Sequence, residues 1–110
     1  MKRPALDVMS ALSDPTRAQI VQLLLDRERS VGEIAAKLPV SRPAVSKHLR
    51  ILENAGVVSF HRAGTRNVYA LRPQTLGTLR DHIDAMWRQA LARFATVAEG
   101  QRVKKVREES

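Results

Sequence analysis

The stretch Ser30-Val31-Gly32-Glu33-Ile34-Ala35-Ala36-Lys37-Leu38-Pro39-Val40-Ser41-Arg42-Pro43-Ala44-Val45-Ser46-Lys47-His48-Leu49-Arg50-Ile51-Leu52-Glu53-Asn54 decides the fold. Its first four residues spell a capping box. The Ser30 hydroxyl accepts from the amide of Glu33, and the Glu33 carboxylate reaches back to the amide of Ser30. A short helix over 31–37 follows, with Ile34, Ala35 and Leu38 on one side. Pro39 cannot continue that helix, so the chain turns at Leu38-Pro39-Val40. Ser41 then caps a longer helix over 42–54, whose apolar positions Val45, Leu49 and Leu52 fall at i, i+4 and i+7. Gly56 stands just past its end, where a left-handed residue is wanted. Short helix, tight turn and longer helix make a helix-turn-helix.

Outward from this core, Asp14-Pro15 is a helix start: the carboxylate caps, and proline at the first helical position gives up no needed donor. The helix so opened runs to about Asp26, with Ile20, Leu23, Leu24 and Val21 turned inward. Ahead of it, Leu6, Met9 and Leu12 stand at helical spacing over 4–12. After Gly56 the period changes. Val57–Arg62 and Asn67–Arg72 are β-branched and aromatic runs flanking Ala63-Gly64-Thr65-Arg66, which predicts a two-stranded hairpin. Tyr69 and Leu71 share a strand face and are assigned to the core. Pro73 restarts a helix whose apolar stripe takes in Leu76, Leu79, Ile83, Met86, Ala90 and Phe94, with Trp87, Leu91 and Val97 beside it. One small domain already has its core in the earlier elements, so this stripe predicts a second copy as partner. The stripe residues Leu79, Ile83, Met86, Trp87, Ala90 and Phe94 are assigned to that face. The predicted fold is mainly α with a two-stranded β-hairpin wing: a winged helix-turn-helix over 4–97, with a charged, disordered tail at 98–110.

The chain has 110 residues, a net charge of +8 and no cysteine. Such a length fits one domain. Without cysteine there is no disulfide framework, thiol nucleophile or Cys-ligated zinc, and a reducing, cytoplasmic setting is expected. No apolar run is long enough for a membrane span. The charge is concentrated: residues 41–72 hold Arg42, Lys47, Arg50, Arg62, Arg66 and Arg72 against Glu53 alone. Such a basic middle fits a polyanion, although an acidic protein partner would satisfy the same charge.

The local pattern favours double-stranded DNA. An α-helix fits the major groove, and the helix that reads it must expose polar residues near its start while burying the opposite side. Arg42, Ser46, Lys47 and Arg50 point away from Val45, Leu49 and Leu52. Arg42 and Lys47 are candidates for guanine edges, Ser46 for a base edge or a phosphate, and Arg50 for the backbone. Ser41, at a helix N-terminus, suits a phosphate. Pro43 either presses on a thymine methyl or stiffens the first turn. His48 lies between base-facing and core-facing positions, with a structural or phosphate hydrogen bond expected. Arg62 and Arg66 bracket the hairpin loop and suit a minor groove or flanking phosphates.

With these elements in place the chain resembles the ArsR family of bacterial winged-helix repressors. The matching pieces are Ala11–Arg17, Ile20–Leu24, Glu33-Ile34-Ala35, Ser41–Leu52, Ala55-Gly56-Val57-Val58, the Arg62–Gly64 turn and Tyr69-Ala70-Leu71. The resemblance covers roughly residues 5–97 and implies a homodimer joined through its first and last helices, which adds Leu6 and Met9 to the dimer face. It also implies two recognition helices in successive major grooves of an inverted repeat, and repression, often at the regulator's own promoter. Metal-responsive members carry cysteines where this chain has Arg27-Glu28-Arg29-Ser30-Val31. Others use the last helix, but here Asp81, His82 and Asp84 meet Arg93 where a second histidine would stand. Asp81 and His82 also diverge by about 100° around a helix. No metal and no cofactor are therefore expected. The chain looks closer to a cysteine-free branch with a tryptophan in the last helix, here Trp87, read as dimer core; whether a small effector exists stays open.

Two other classes fit less well. A winged helix used only to bind proteins need not keep Arg42, Lys47 and Arg50 on its exposed face. An enzyme would need a Gly-rich phosphate loop, a nucleophile with its base, or a carboxylate pair in an apolar setting, and the sequence offers none of these.

Overall fold

A computed structural model describes residues 4–109, with side chains described over 5–96. The element order is α1 (Pro4–Leu12), α2 (Pro15–Asp26), β1 (Arg29–Ser30), α3 (Val31–Lys37), α4 (Arg42–Asn54), β2 (Val58–Ala63), β3 (Arg66–Leu71) and α5 (Pro73–Glu109). The chain divides into two compact units, 1–79 and 80–110.

In the first unit the starts of α2, α3 and α4 are held as their sequence demands. The Asp14 carboxylate accepts from the amide of Arg17 at 3.0 Å, with Pro15 opening α2. Ser30 and Glu33 form both halves of the capping box, at 3.2 and 3.3 Å. The Ser41 hydroxyl accepts from the amide of Ala44 at 3.2 Å. Helix α4 ends in a Schellman arrangement. The amide of Val57 donates to the carbonyl of Leu52 and that of Gly56 to Glu53, both at 2.9 Å. Gly56 takes φ +78°, and Gly64 takes φ +65° at the hairpin tip.

The core gathers Val8 and Ala11 of α1, Ile20 and Leu24 of α2, Ile34 of α3, and Val45, Leu49 and Leu52 of α4. Val57, Val58 and Tyr69 close it from the sheet side, and Leu71 and Leu79 are half-buried against it. Leu71 and Tyr69 thus face inward as expected. Phe60 sits directly across from Tyr69, with ring centroids 5.4 Å apart.

The inward face of α1 is Val8 and Ala11, while Leu6 and Met9, assigned to a dimer face, are exposed. One detail differs from the sequence reading. The wing is the outer part of a three-stranded sheet ordered β1-β3-β2, because Arg29 and Ser30 pair with Tyr69 and Val68. Ser30 is extended there because an N-cap residue has β-region dihedrals, which leaves its backbone free to pair. The Arg29 side chain, buried beside this strand, donates to the Leu23 carbonyl at 3.0 Å and to Asp26 at 2.9 Å. The backbone of α5 runs to Glu109; the side chains of 97–99 and 101–110, where most of the expected tail falls, lie outside the described residues.

The second unit is helical. Ile83, Met86, Trp87, Leu91 and Phe94 are exposed on it, as is Ala90. Among the described residues no helix is long and apolar enough to cross a membrane.

The caps predict an acid limb of stability. The Arg17 amide holds the Asp14 carboxyl below its ordinary pKa, and the Ser30 amide, then its hydroxyl, do the same for Glu33. A carboxylate whose pKa is depressed by folding stabilises the protein above its unfolded pKa, and that stability is lost as pH falls through the folded value. Thermal melts are expected to weaken below about pH 4, the ordinary carboxylate range. An Asp14→Asn, Glu33→Gln double variant is expected to melt earlier at neutral pH and to show a shallower acid decline. An unchanged acid decline in that variant would put the lability elsewhere.

Candidate nucleic-acid interface

Helix α4 presents four distinct flanks, set by which residues it buries. Val45, Leu49 and Leu52 point into the core. Pro43, Lys47 and Arg50, at i, i+4 and i+7, lie opposite and are exposed. Arg42 and Ser46, one turn apart, face the wing. They line a groove of about 270 Å³ with Arg62, Thr65, Arg66 and Asn67. His48 lies on the remaining flank, half-buried toward the start of α2. There its Nδ1 is 3.4 Å from a terminal nitrogen of Arg17 and 3.9 Å from the Asp14 carboxylate. Arg17 in turn donates through Nε to the Ala11 carbonyl at 2.6 Å, tying α1, α2 and α4 together. Ser41 is exposed at the α4 N-terminus, its hydroxyl occupied by the cap.

The wing arginines differ from one another. Arg62 is exposed, and its Nε donates to the Gly64 carbonyl at 3.4 Å, leaving the terminal nitrogens open to solvent. Arg66 is tethered. One of its terminal nitrogens donates to the Ser30 hydroxyl and to the Glu33 carboxylate, each at 2.6 Å. Glu33 also pairs with Arg27 at 3.2 Å, so the cap of α3 doubles as an anchor for the wing. Nothing local in the sequence signals this contact, because Arg66 stands 33 and 36 residues from its two partners.

Among the described residues Arg42, Lys47, Arg50 and Arg62 form no ion pair, whereas Arg27, Arg29, Arg66 and Arg80 do. Arg17, Lys37, Arg72, Arg88 and Arg93 form none either among the described residues, so unpaired bases are spread along the chain, and four of them stand together on α4 and the wing. Of the residues assigned to a dimer face, Leu6, Met9, Ile83, Met86, Trp87, Ala90 and Phe94 are exposed, while Leu79 is half-buried against the core of its own unit. Asp81 pairs with its neighbour Arg80 at 3.6 Å. Among the described residues no three His, Asp or Glu side chains converge on a metal position.

Known proteins share this arrangement. Residues 14–59 match the family described as "Bacterial regulatory protein, arsR family". The chain is 46% identical over 91 residues to the HTH-type transcriptional regulator Rv2034 of Mycobacterium tuberculosis, covering 83% of this chain and 85% of that one. It is 41% identical over 70 residues to the transcriptional repressor SdpR of Bacillus subtilis, covering 64% and 78% respectively. The solved structure of an ArsR-like transcriptional regulator from Rhodococcus sp. RHA1 superposes with a TM-score of 0.72 at 33% identity, covering 86% of this chain and 92% of that one. The fold is thus shared with these regulators, and the chain belongs to the ArsR family as a DNA-binding transcriptional regulator and not an enzyme.

Proposed function

We propose that the chain acts as a homodimeric repressor that binds an inverted-repeat operator, with α4 in the major groove and the wing on flanking backbone or minor groove. The observation that carries this reading is the set of exposed bases without acid partners: Arg42, Lys47, Arg50 and Arg62. Paired bases would have to break an intramolecular contact before meeting a phosphate; unpaired ones do not. Pro43, Lys47 and Arg50 face base edges and the adjacent backbone. Ser41, Arg42, Ser46, Arg62 and Arg66 take phosphates, and His48 holds α4 against α2 at the margin of the contact. The second copy is supported by the exposed apolar side chains on α5, Trp87 and Phe94 among them. Two linked reading heads engage two half-sites, which raises affinity without any new contact within either half-site. Regulation without a bound metal follows from the absence of cysteine in the chain and from Arg93 in the last helix.

Fluorescence anisotropy against the duplex upstream of the chain's own gene, with a scrambled duplex alongside, tests the reading. Between about 50 and 200 mM salt, affinity for both is expected to fall as counterions are retained by the DNA, with the native duplex staying the tighter of the two. A promoter reporter is expected to rise when the gene is deleted. Equal binding to both duplexes would defeat sequence reading at that operator, and a reporter that falls would make the chain an activator.

A further inference from the structure

We propose that the groove between α4 and the wing is a seat for a phosphoryl group. A backbone phosphate fills it in the DNA complex, and free inorganic phosphate or pyrophosphate fills it when DNA is absent. The first half of this statement rests on the DNA reading above; the second does not. The groove holds about 270 Å³ and is lined by three guanidinium groups, Arg42, Arg62 and Arg66, together with Ser46, Thr65 and Asn67. No carboxylate lines it. Arg66 is paired with Glu33, so the unbalanced charges facing this small volume are those of Arg42 and Arg62; they repel one another, and an anion placed between them removes that repulsion while accepting charge-assisted hydrogen bonds from all three groups.

Two of the three groups are held in place before any ligand arrives. Arg66 is fixed through one terminal nitrogen by Ser30 and Glu33, which leaves its other N–H groups to donate. Arg62 is held through Nε by the Gly64 carbonyl, leaving its terminal nitrogens. Asn67 is the direct cross-strand partner of Arg62, so both project from one face of the hairpin. Arg42 reaches across from the first turn of α4. Its guanidinium lies over Gly32, within 3.7 Å of where a Cβ would stand. Guanidinium planes match phosphate oxygens in pairs, which chloride cannot exploit. The seat therefore distinguishes phosphoryl anions from chloride at equal ionic strength, and phosphoryl anions displace DNA beyond simple screening.

The test uses the full-length protein and pyrophosphate as probe, titrated by calorimetry without DNA at constant ionic strength set by chloride. Saturable binding is expected. Arg42→Gln is expected to weaken it about tenfold or more, in line with the loss of a charge-assisted pair. Lys37→Gln, which removes an exposed base from the end of α3 away from the groove, is expected to leave it unchanged. Among the described residues the Arg42 side chain makes no hydrogen bond or ion pair within the fold, so Arg42→Gln should melt like the parent; Arg66→Gln supplies a second groove variant. In a parallel anisotropy experiment pyrophosphate is expected to release operator DNA more strongly than sodium chloride of equal ionic strength. No saturable binding, or equal weakening by Lys37→Gln, overturns the seat even if DNA still binds. Saturable, Arg42-dependent pyrophosphate binding by a protein that binds no DNA upholds the seat for free anions and overturns the DNA reading.

Discussion

Replacing Lys47 and Arg50 together by alanine is expected to lower operator affinity on the order of a hundredfold while leaving the melting temperature unchanged. Both side chains are exposed on α4, opposite Val45, Leu49 and Leu52, and neither forms an ion pair among the described residues. Removing them therefore breaks no contact within the fold. A good contact to a base edge is worth about 1–3 kcal/mol of discrimination, and a phosphate contact adds affinity without sequence preference. The two single variants separate these roles. Lys47→Ala is expected to reduce binding to the operator more than to a scrambled duplex. Arg50→Ala is expected to weaken both alike and to lower the slope of log affinity against log salt by about one. Equal losses on both duplexes for Lys47→Ala would move base reading to another residue of α4. A double variant with parental affinity would remove this face of the helix from the interface altogether.

The helices were legible because each carries its own punctuation. Asp14-Pro15, the Ser30/Glu33 box, Ser41 and Gly56 act through contacts at most five residues long, and short-range chemistry of this kind is written in consecutive letters. The bases of α4 were legible for the same reason, since helical spacing alone separates Lys47 and Arg50 from the core positions. What sequence spacing could not supply was partnership at a distance. Two residues, Arg29 and Ser30, are too few to show a strand's alternation, and only pairing with β3 makes them a strand. Arg42 and Lys47 looked equivalent in the sequence. Once the wing is placed, Arg42 turns out to face it and Lys47 does not. Arg66 read as a free loop base until the fold brought it to Ser30 and Glu33. In α1, Leu6, Met9 and Leu12 make as good a helical stripe as Val8, Ala11 and Leu12, and packing against the other helices selects the second.

The other large effect is expected from α5. Trp87→Glu combined with Phe94→Glu should convert the proposed dimer into a monomer in sedimentation equilibrium, with a dissociation constant raised by at least about a hundredfold. These two side chains are 62% and 71% exposed in the single chain, far beyond what a large aromatic surface normally tolerates unless it is covered. Covering each fully is worth roughly 1.5–3 kcal/mol, and in a twofold interface every substitution is felt twice. Glutamate removes that gain and adds the cost of desolvating a carboxylate. Trp87→Phe and Phe94→Leu, which keep an apolar side chain, are expected to retain the dimer, so loss of a particular shape is separated from loss of burial. Raising salt is expected to leave the dimer intact while it weakens DNA binding, because one contact is apolar and the other ionic. Operator affinity should then fall in the glutamate variant even though no base of α4 or the wing has changed, since two half-sites are no longer bound as one event. A glutamate variant that stays dimeric would place the interface elsewhere on the chain. One that becomes monomeric yet binds the operator at parental strength would show that a single α4 and wing suffice, and the second copy would lose its part in recognition.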